Sequence, residues 1–490
     1  MVRALGPWMA VAIVVGTIIG SGVFKKPQQV AETAPYFGLA ALAWILGGVL
    51  ALLGSLALAE VAVLYPHAGG NYVYLREAYG RLAAFLWGWV EFWMIRGASI
   101  AALATVFSES LHDVLANARF REAVGLPPAT QVLDYWQQRG LTVAVILTLA
   151  LVNVRGVRWG GVLQLFITLV KIGSLLAIAV LPFVVGWLFA GSTEDAGPRA
   201  ENLEPWWPGS WKLTTLTGFG SALLGVMWAY HGWMNIAPVA GEVQNPNRNL
   251  PLAFLAGTGI VIFLYLAANL AYALVLPVEE MARCKDTPVA TVFSERLLGP
   301  IGAALASAAV MCSAFGALNG NLLVGPRVLY AMGDDRLAPP RLAAIHPRFH
   351  TPAVAIVVLA LWSALLVVVA GALSKYRLPT FAVLDLTIDP NIPENKSVFN
   401  ILTDFAMFGA TTFETLAVAT IFVFRRTAPD AERAYRCRGY PWVPAIYVAI
   451  LALVVVNIFW TQWSEALFGL GFITLGALVF AGVFGRRGAH

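Results

Sequence analysis

Charged residues are scarce in this sequence. Asp, Glu, Lys and Arg together make up 12% of its 490 residues, about half of the ~25% that soluble domains carry. A chain with so few charges cannot cover a folded surface with groups that water solvates. The scarcity therefore excludes a soluble enzyme, a disordered protein and a nucleic-acid-binding protein, although the net charge is +5.

Cysteine and histidine are also few. The three cysteines, Cys284, Cys312 and Cys437, are far apart and show no spacing typical of a disulfide framework or a zinc site. Of the six histidines, only His231 falls within a predicted membrane span. No paired catalytic carboxylates and no Ser/Lys dyad emerge. We therefore expect no metal, no cofactor and no intramembrane enzyme.

Apolar residues, in contrast, account for 59% of the chain. A helix needs about 20 mostly apolar residues to cross the hydrocarbon core of a bilayer. The longest connection, Ser374–Lys396, is predicted to be a surface loop with one short strand. We predict an all-α integral membrane protein with twelve spans, at 7–33, 38–66, 80–111, 139–154, 160–190, 215–242, 250–277, 299–331, 352–373, 400–424, 441–461 and 465–485.

The charges outside these spans are unevenly distributed. Connections on the N-terminal side of the membrane carry sixteen Lys and Arg against five acidic residues, and those on the other side carry eleven against seventeen. Cytoplasmic loops of membrane proteins are enriched in Lys and Arg. The pattern predicts a multi-pass protein of the cell (inner) membrane with both termini in the cytoplasm.

Charged residues within the spans are costly and are functional candidates by default. For Glu60, Glu91, Arg96 and Arg327 we prefer a structural interpretation, in which each pairs with a neighbour or reaches toward the membrane interface. Lys171 differs because apolar residues flank it in TLVKIGSLLAIAV. It suits proton coupling or a fixed positive charge in place of a sodium ion; the alternative is a lysine facing an aqueous vestibule.

Two predicted spans contain residues that interrupt a helix. The first reads VAIVVGTIIGSGVFKKP, with glycines at 16, 20 and 22, and the sixth reads GVMWAYHGWMNIAP, with Gly232. Small residues can instead serve close helix packing, but two clusters in corresponding places favour breaks. A half-helix N-terminus binds an anion and freed carbonyls bind a cation, which suits an amino acid zwitterion. Paired breaks are also typical of two inverted five-helix repeats.

Several stretches are specific enough to indicate a family. They are GTIIGSGVF (16–24), ALAEVAVLYPHAGGNYVYLREAYG (57–80), WVEF…IRG in span 3, WAYHGW…GEVQNPNRNLPLA (228–253), ALNGNLLVGPRVLYAMGDD (317–335) and IHPRFHTP (345–352). Together they resemble the amino acid–polyamine–organocation (APC) superfamily, especially its L-type amino acid transporter branch and bacterial relatives. The resemblance implies a LeuT-type fold, with inverted repeats at 1–190 and 215–426 and two further helices at 441–490. It also implies a sodium-independent secondary transporter of amino acids that works by alternating access, as an exchanger or a proton-coupled symporter.

The resemblance also implies a substrate site at the two breaks. Ser21 and Gly22 would offer backbone N–H groups to the substrate carboxylate, with Gly20 permitting the close approach. Trp228 would stand where the family has a gating aromatic, and Lys171 matches the lysine that replaces a sodium site. The α-amino group would be received by the backbone carbonyls of Thr17, Ile18, Trp228, Ala229 and His231.

Some positions depart from the L-type pattern. His231 stands where glycine is common, and it contacts the substrate side chain, confers pH sensitivity or only shapes the pocket. Met234 replaces a common asparagine and is a candidate specificity residue, while Asn235 is expected to face elsewhere on a helix. Glu414, in the tenth span, could recognise a cationic substrate, carry protons or pair with an arginine.

The expected partners are a small amino acid substrate and membrane lipids. The loop between spans 3 and 4 contains no cysteine, so we expect no disulfide-linked heavy subunit of the kind found in animal relatives. Two other functions stay open at this point. One is transport of polyamines or cationic amino acids, and the other is amino acid sensing without transport, which no signalling domain in the sequence supports.

Overall fold

The computed structural model describes residues 2–123, 125–127, 132–188, 197–284, 287–376, 381–383, 386–388, 398–461 and 463–484. These residues are almost entirely helical, as the predicted all-α class requires. The helices are α1 (Pro7–Ile18), α2 (Gly22–Thr33), α3 (Phe37–Leu64), α4 (Asn71–Tyr79), α5 (Arg81–Val90), α6 (Gly97–Ala116), α7 (Ala118–Ala123), α8 (Tyr135–Val154), α9 (Val157–Leu188), α10 (Leu213–Tyr230), α11 (Pro246–Val275), α12 (Val278–Arg283), α13 (Val289–Val324), α14 (Pro326–Asp334), α15 (Ala353–Lys375), α16 (Val398–Thr427), α17 (Trp442–Thr461) and α18 (Trp463–Val483).

Eleven helical segments in the described part of the chain are long and apolar enough to cross a membrane. This confirms a multi-span membrane protein. The segments are Pro7–Thr33, Phe37–Leu64, Arg81–Ala116, Tyr135–Val154, Val157–Leu188, Pro246–Val275, Val289–Asp334, Ala353–Lys375, Met407–Thr427, Trp442–Trp460 and Ala466–Val483.

The sixth predicted span, 215–242, is not among these segments. Its helix α10 ends at Tyr230 after 18 residues, and turns lead to a short 3-10 helix at Ala237–Glu242. Gly232 has a φ of +111°, a left-handed conformation that an α-helix cannot contain and that glycine adopts at little cost. The sixth span is therefore interrupted within 229–234, the stretch in which Gly232 and its polar neighbours predict a break.

The interrupted helices lie at the centre of the bundle. α1 packs against α9, α11 and α13, while α2 packs against α10 and α12. Every residue of α1 from Ala10 to Ile18 is buried, as expected of a helix that is apolar all round. Irregular backbone at membrane depth is tolerated only inside protein or beside a polar cavity, and this packing meets that condition.

Two further irregular segments occur outside α1, α2 and α10. A π-helix at Glu91–Arg96 joins α5 to α6. The predicted loop at 374–400, only part of which lies among the described residues, contains two short strands rather than one. Strands β1 (Phe381–Val383) and β2 (Leu386–Ile388) pair antiparallel, because a single short strand would leave its backbone groups without partners.

Candidate functional site

The first break lies between α1 and α2. α1 ends at Ile18 and α2 begins at Gly22, so residues 19–21 are not helical. Within the described residues, the backbone N–H groups of Ser21 and Gly22 donate no hydrogen bond. They lie at the N-terminus of the 12-residue α2, where the helix dipole is positive. Free N–H groups in this position are suited to an anion such as a carboxylate.

The second break follows Tyr230 and directly contacts the first. The hydroxyl of Thr17 donates to the carbonyl of Gly232 at 3.2 Å. A methyl group placed on Gly22 would lie only 2.6 Å from the Cα of Ala229. Only glycine at position 22 allows the two interrupted chains to approach this closely.

A polar cavity of about 30 Å³ lies between the two breaks. This volume holds about two water molecules, so the lining must move apart to admit an amino acid. Of the residues predicted for the site, Ala229 does not line the cavity but packs against Gly22. The lining includes Thr17, Ile18, Gly20, Ser21, Gly22, Trp228 and His231, together with Ser99, Leu103, Asn235, Ala317 and Asn321, which the sequence reasoning missed.

Two hydroxyl groups in this lining have no partner. Ser21 is 1% exposed and Ser99 is 4% exposed, and neither Oγ has a hydrogen-bond partner among the described residues. An unpaired buried polar group is costly. Both hydroxyls are therefore available to a polar ligand. Ser99 lies three residues after Arg96, about one helical turn from a charged residue within a membrane span, and that position was a usable signal in the sequence.

Lys171 is buried on α9 and reaches the carbonyls at the end of α1. Its Nζ donates to the carbonyls of Gly16 at 2.7 Å and Ile19 at 2.5 Å. Its side chain is not part of the cavity lining. The vestibule interpretation is wrong, because Lys171 is 1% exposed. An ammonium group held at the negative end of a helix dipole is electrostatically favourable.

Two more side chains bind the carbonyls that the break leaves free. The hydroxyl of Tyr265 lies within donating distance of the carbonyls of Ile18 (2.9 Å) and Ala229 (3.1 Å). Ser313 Oγ lies 3.0 Å from the carbonyl of Gly20. Each carbonyl oxygen has two lone pairs. The oxygen of Ile18 also accepts from the backbone N–H of Gly20 at 2.7 Å, so it must give up one of these two bonds to bind a ligand.

The charged pair Glu91 and Arg96 is buried in the π-helix between α5 and α6. Arg96 contacts Glu91 through Nη2 and donates from Nε to the same carboxylate at 2.9 Å. The π-helix explains this pairing, because it places residues five apart on one face. Arg96 also donates to the Oδ1 atoms of Asn321 (2.5 Å) and Asn235 (3.1 Å). Arg96 therefore orients two amides that line the cavity.

The expectation for residues 234 and 235 is wrong. Asn235 lines the cavity, whereas Met234 does not and instead accepts a contact from the Asn71 amide at 2.8 Å. The expectation assumed a helix, but the chain turns after His231 and reverses which side chain faces inward. Asn235 therefore provides the polar group at the cavity that Met234 was expected to lack.

His231 and Glu414 contact each other across the second break. Nε2 of His231 lies 2.8 Å from Oε1 of Glu414, with side chains 13% and 4% exposed. The imidazole ring is parallel to the indole of Trp228, with centroids 6.2 Å apart. Glu414 does not line the cavity. The side chain that contacts it is a histidine rather than an arginine.

The other buried charges form ion pairs away from the cavity. Glu60 contacts Arg425 at 2.8 Å and Arg433 at 3.1 Å, and Arg327 contacts Glu242 at 3.0 Å with both side chains fully buried. These contacts agree with the structural roles preferred from the sequence. In the described part of the chain, no cluster of His, Cys, Asp and Glu could hold a metal ion.

Comparison with known proteins finds similarity over nearly the full length of the chain. It matches the amino acid permease family over residues 5–481. It is similar to the serine/threonine exchanger SteT of Bacillus subtilis (strain 168), with 31% identity over 449 residues that cover 91% of this chain and 89% of the relative. The cystine/glutamate transporter of Homo sapiens is 29% identical over 464 residues, covering 94% and 81%. The Asc-type amino acid transporter 1 of Mus musculus is 29% identical over 487 residues, covering 99% and 82%.

Proposed function

The chain belongs to the amino acid permease family, and on this basis we propose that it is a sodium-independent secondary transporter that moves amino acids across the cell membrane by alternating access. The family assignment confirms the resemblance seen in its motifs. The relatives are named as transporters and exchangers, so we treat the protein as a carrier and not as an enzyme.

The proposed architecture is a LeuT-type fold with twelve spans and both termini in the cytoplasm. α10 serves as the first part of the sixth span, and the turns after Tyr230 continue it. The proposed repeats are 1–190 and 215–426, followed by two helices at 441–490. The contact between the breaks in the first and sixth spans, Gly22 against Ala229, supports this division.

The placement of Lys171 carries the proposal of sodium independence. Its ammonium group binds the carbonyls of Gly16 and Ile19, which are oxygen ligands that the break in α1 makes available. Hard cations such as sodium need such oxygen ligands, and here a fixed positive charge occupies them. Transport by this protein therefore needs no sodium gradient.

The cavity supports binding of an amino acid zwitterion. The free N–H groups of Ser21 and Gly22 receive the substrate carboxylate, and the carbonyls of Thr17, Ile18 and Trp228 receive the amino group. The carbonyls of Ala229 and His231 complete the acceptor set that the family pattern assigns. Trp228 closes the site as a gating aromatic.

Small neutral amino acids require the least opening of this cavity. It is small, and the unpaired hydroxyls of Ser21 and Ser99 suit a polar side chain. The relative named as a serine/threonine exchanger supports the same class. Cationic amino acids and polyamines are the second candidate, but within the described residues no carboxylate lines the cavity, because Glu414 contacts His231 outside the lining.

The test is uptake by purified protein in sodium-free liposomes. Labelled L-serine is expected to accumulate saturably when the lumen contains unlabelled L-serine. An exchanger shows uptake only with amino acid inside, whereas a proton symporter also responds to an inward proton gradient. The absence of saturable uptake of every L-amino acid would refute transport, and binding without uptake would identify a sensor.

Competition refines the substrate. Twenty amino acids and the common polyamines are added against labelled L-serine at two pH values. We expect serine, threonine and alanine to compete most strongly, and strong competition by lysine or a polyamine would favour the cationic alternative. We also expect the purified chain to be active alone, without a disulfide-linked heavy subunit.

A further inference from the structure

We propose that the coupling proton is carried by the His231–Glu414 pair, and not by Lys171. This inference deepens the proposed function and depends on it, because it names the ion that accompanies the amino acid. It makes the protein a proton-coupled transporter whose proton site adjoins its substrate site.

The pair connects the substrate cavity to the protein interior. His231 lines the cavity at the point where α10 ends. Glu414 lies behind it on α16, 3% exposed. Its Oε1 lies 2.8 Å from Nε2 of His231 and has no hydrogen-bond partner among the described residues. A proton from water in the cavity therefore reaches Glu414 through the imidazole.

Other ionisable groups near the cavity are already engaged. Lys171 donates to two backbone carbonyls at the end of α1 and does not line the cavity, so its ammonium group is separated from the water that the cavity holds. Besides His231, the charged groups that act electrostatically on Glu414 are Glu91 and Arg96 of the π-helix between α5 and α6. Those two neutralise each other by direct contact. From α17, Tyr447 faces Glu414 with a neutral phenol.

The charge of the pair depends on one proton. With that proton the pair is neutral, either as imidazolium and carboxylate or as imidazole and carboxylic acid. Without it the pair has a net charge of −1, which is unfavourable in a dry membrane interior. In the empty cavity, water beside His231 lowers this cost, but a bound substrate displaces that water. The loaded cavity therefore closes only after the pair has taken up a proton, and one proton crosses with each substrate.

Proton movement is tested in sodium-free liposomes that contain a trapped pH dye. Labelled L-serine is added outside, and uptake is measured with and without an inward proton gradient. Wild-type protein is expected to acidify the lumen during uptake and to respond to external pH by up to about tenfold per pH unit, the limit for one titrating proton.

The variants separate the two candidate proton sites. In Glu414→Gln the ratio of uptake with the gradient to uptake without it is expected to fall to about one. The matched control Glu109→Gln removes a carboxylate that contacts Lys25 outside the cavity lining, and it should keep the wild-type ratio. Glu414→Asp retains a titratable group and should keep proton coupling with a shifted pH midpoint. This variant tests the inference even if Glu414→Gln does not fold.

Three results would overturn the inference. One is a Glu414→Gln variant that keeps the wild-type ratio and still acidifies the lumen. Another is a Glu414→Asp variant whose pH midpoint equals that of wild type. The third is wild-type protein that exchanges L-serine without moving protons, which leaves the proposed transport function intact as pure exchange. Absence of any saturable uptake would instead refute the proposed function.

Discussion

Replacing Lys171 with methionine removes the charge that organises the first break. The substitution keeps an unbranched side chain of similar length, so it leaves little empty volume. It deletes the donor to the carbonyls of Gly16 and Ile19. These two oxygens then lie buried next to an apolar thioether, and the end of α1 loses the contact that orients it toward the cavity.

The size of the expected loss in substrate affinity follows from the two hydrogen bonds that Lys171 donates. A hydrogen bond to a charged group contributes about 1.5–3 kcal/mol. Two such bonds at the lower value total about 3 kcal/mol, which corresponds to a loss of about 100-fold in an equilibrium constant. Because Ile19 and Gly20 lead into the substrate N–H groups of Ser21 and Gly22, we expect this loss in substrate affinity.

The assay measures the affinity of the purified protein for L-serine. The affinity is obtained from the rise in the thermal unfolding temperature that L-serine causes. The matched control is Lys25→Met, which removes a lysine that contacts Glu109 and lies outside the cavity lining. The control should bind within a few-fold of wild type. If Lys171→Met also binds L-serine within threefold of wild type, the argument that its ammonium group organises the site is refuted.

Three further substitutions or treatments test other parts of the structure. Gly22→Ala places a methyl 2.6 Å from the Cα of Ala229. Overpacking of this kind costs about 1–3 kcal/mol, so we expect uptake to be lost and partly restored by adding Ala229→Gly, measured as initial rates. Arg327→Met leaves Glu242 as an unpaired buried charge and should destabilise the protein by about 3–5 kcal/mol; the double variant Arg327→Met/Glu242→Leu should recover most of this in thermal unfolding, and no recovery would contradict the pairing argument. Burial raises the pKa of the Cys437 thiol to about 11; because only the thiolate reacts, maleimide labelling in a Cys284→Ser/Cys312→Ser background should accelerate about tenfold per pH unit between pH 7 and 10, whereas a rate that levels off near pH 8.5 would show an ordinary, exposed thiol.

Composition and periodicity were enough to predict a multi-span helical membrane protein, because each apolar segment must be long enough to cross the hydrocarbon core. The positions of Gly20, Gly22 and Gly232 were also readable, since glycine in an apolar helix is costly without a local reason. These are local properties of the chain. They predicted where helices would be interrupted, and the structure brings the interruptions of α1 and α10 into contact around one cavity.

Contacts between residues distant in the sequence could not be predicted in this way. Nothing local indicates that Glu414 meets His231, which is 183 positions earlier in the sequence. Nor does the sequence show that Arg96 orients Asn235, because that contact exists only where the chain leaves the helix and turns the asparagine inward. The sequence by itself determined the membrane-spanning class, the family and the breaks. Only the tertiary packing decided which ionisable side chains face the cavity and which are neutralised, because burial and pairing depend on how the helices come together.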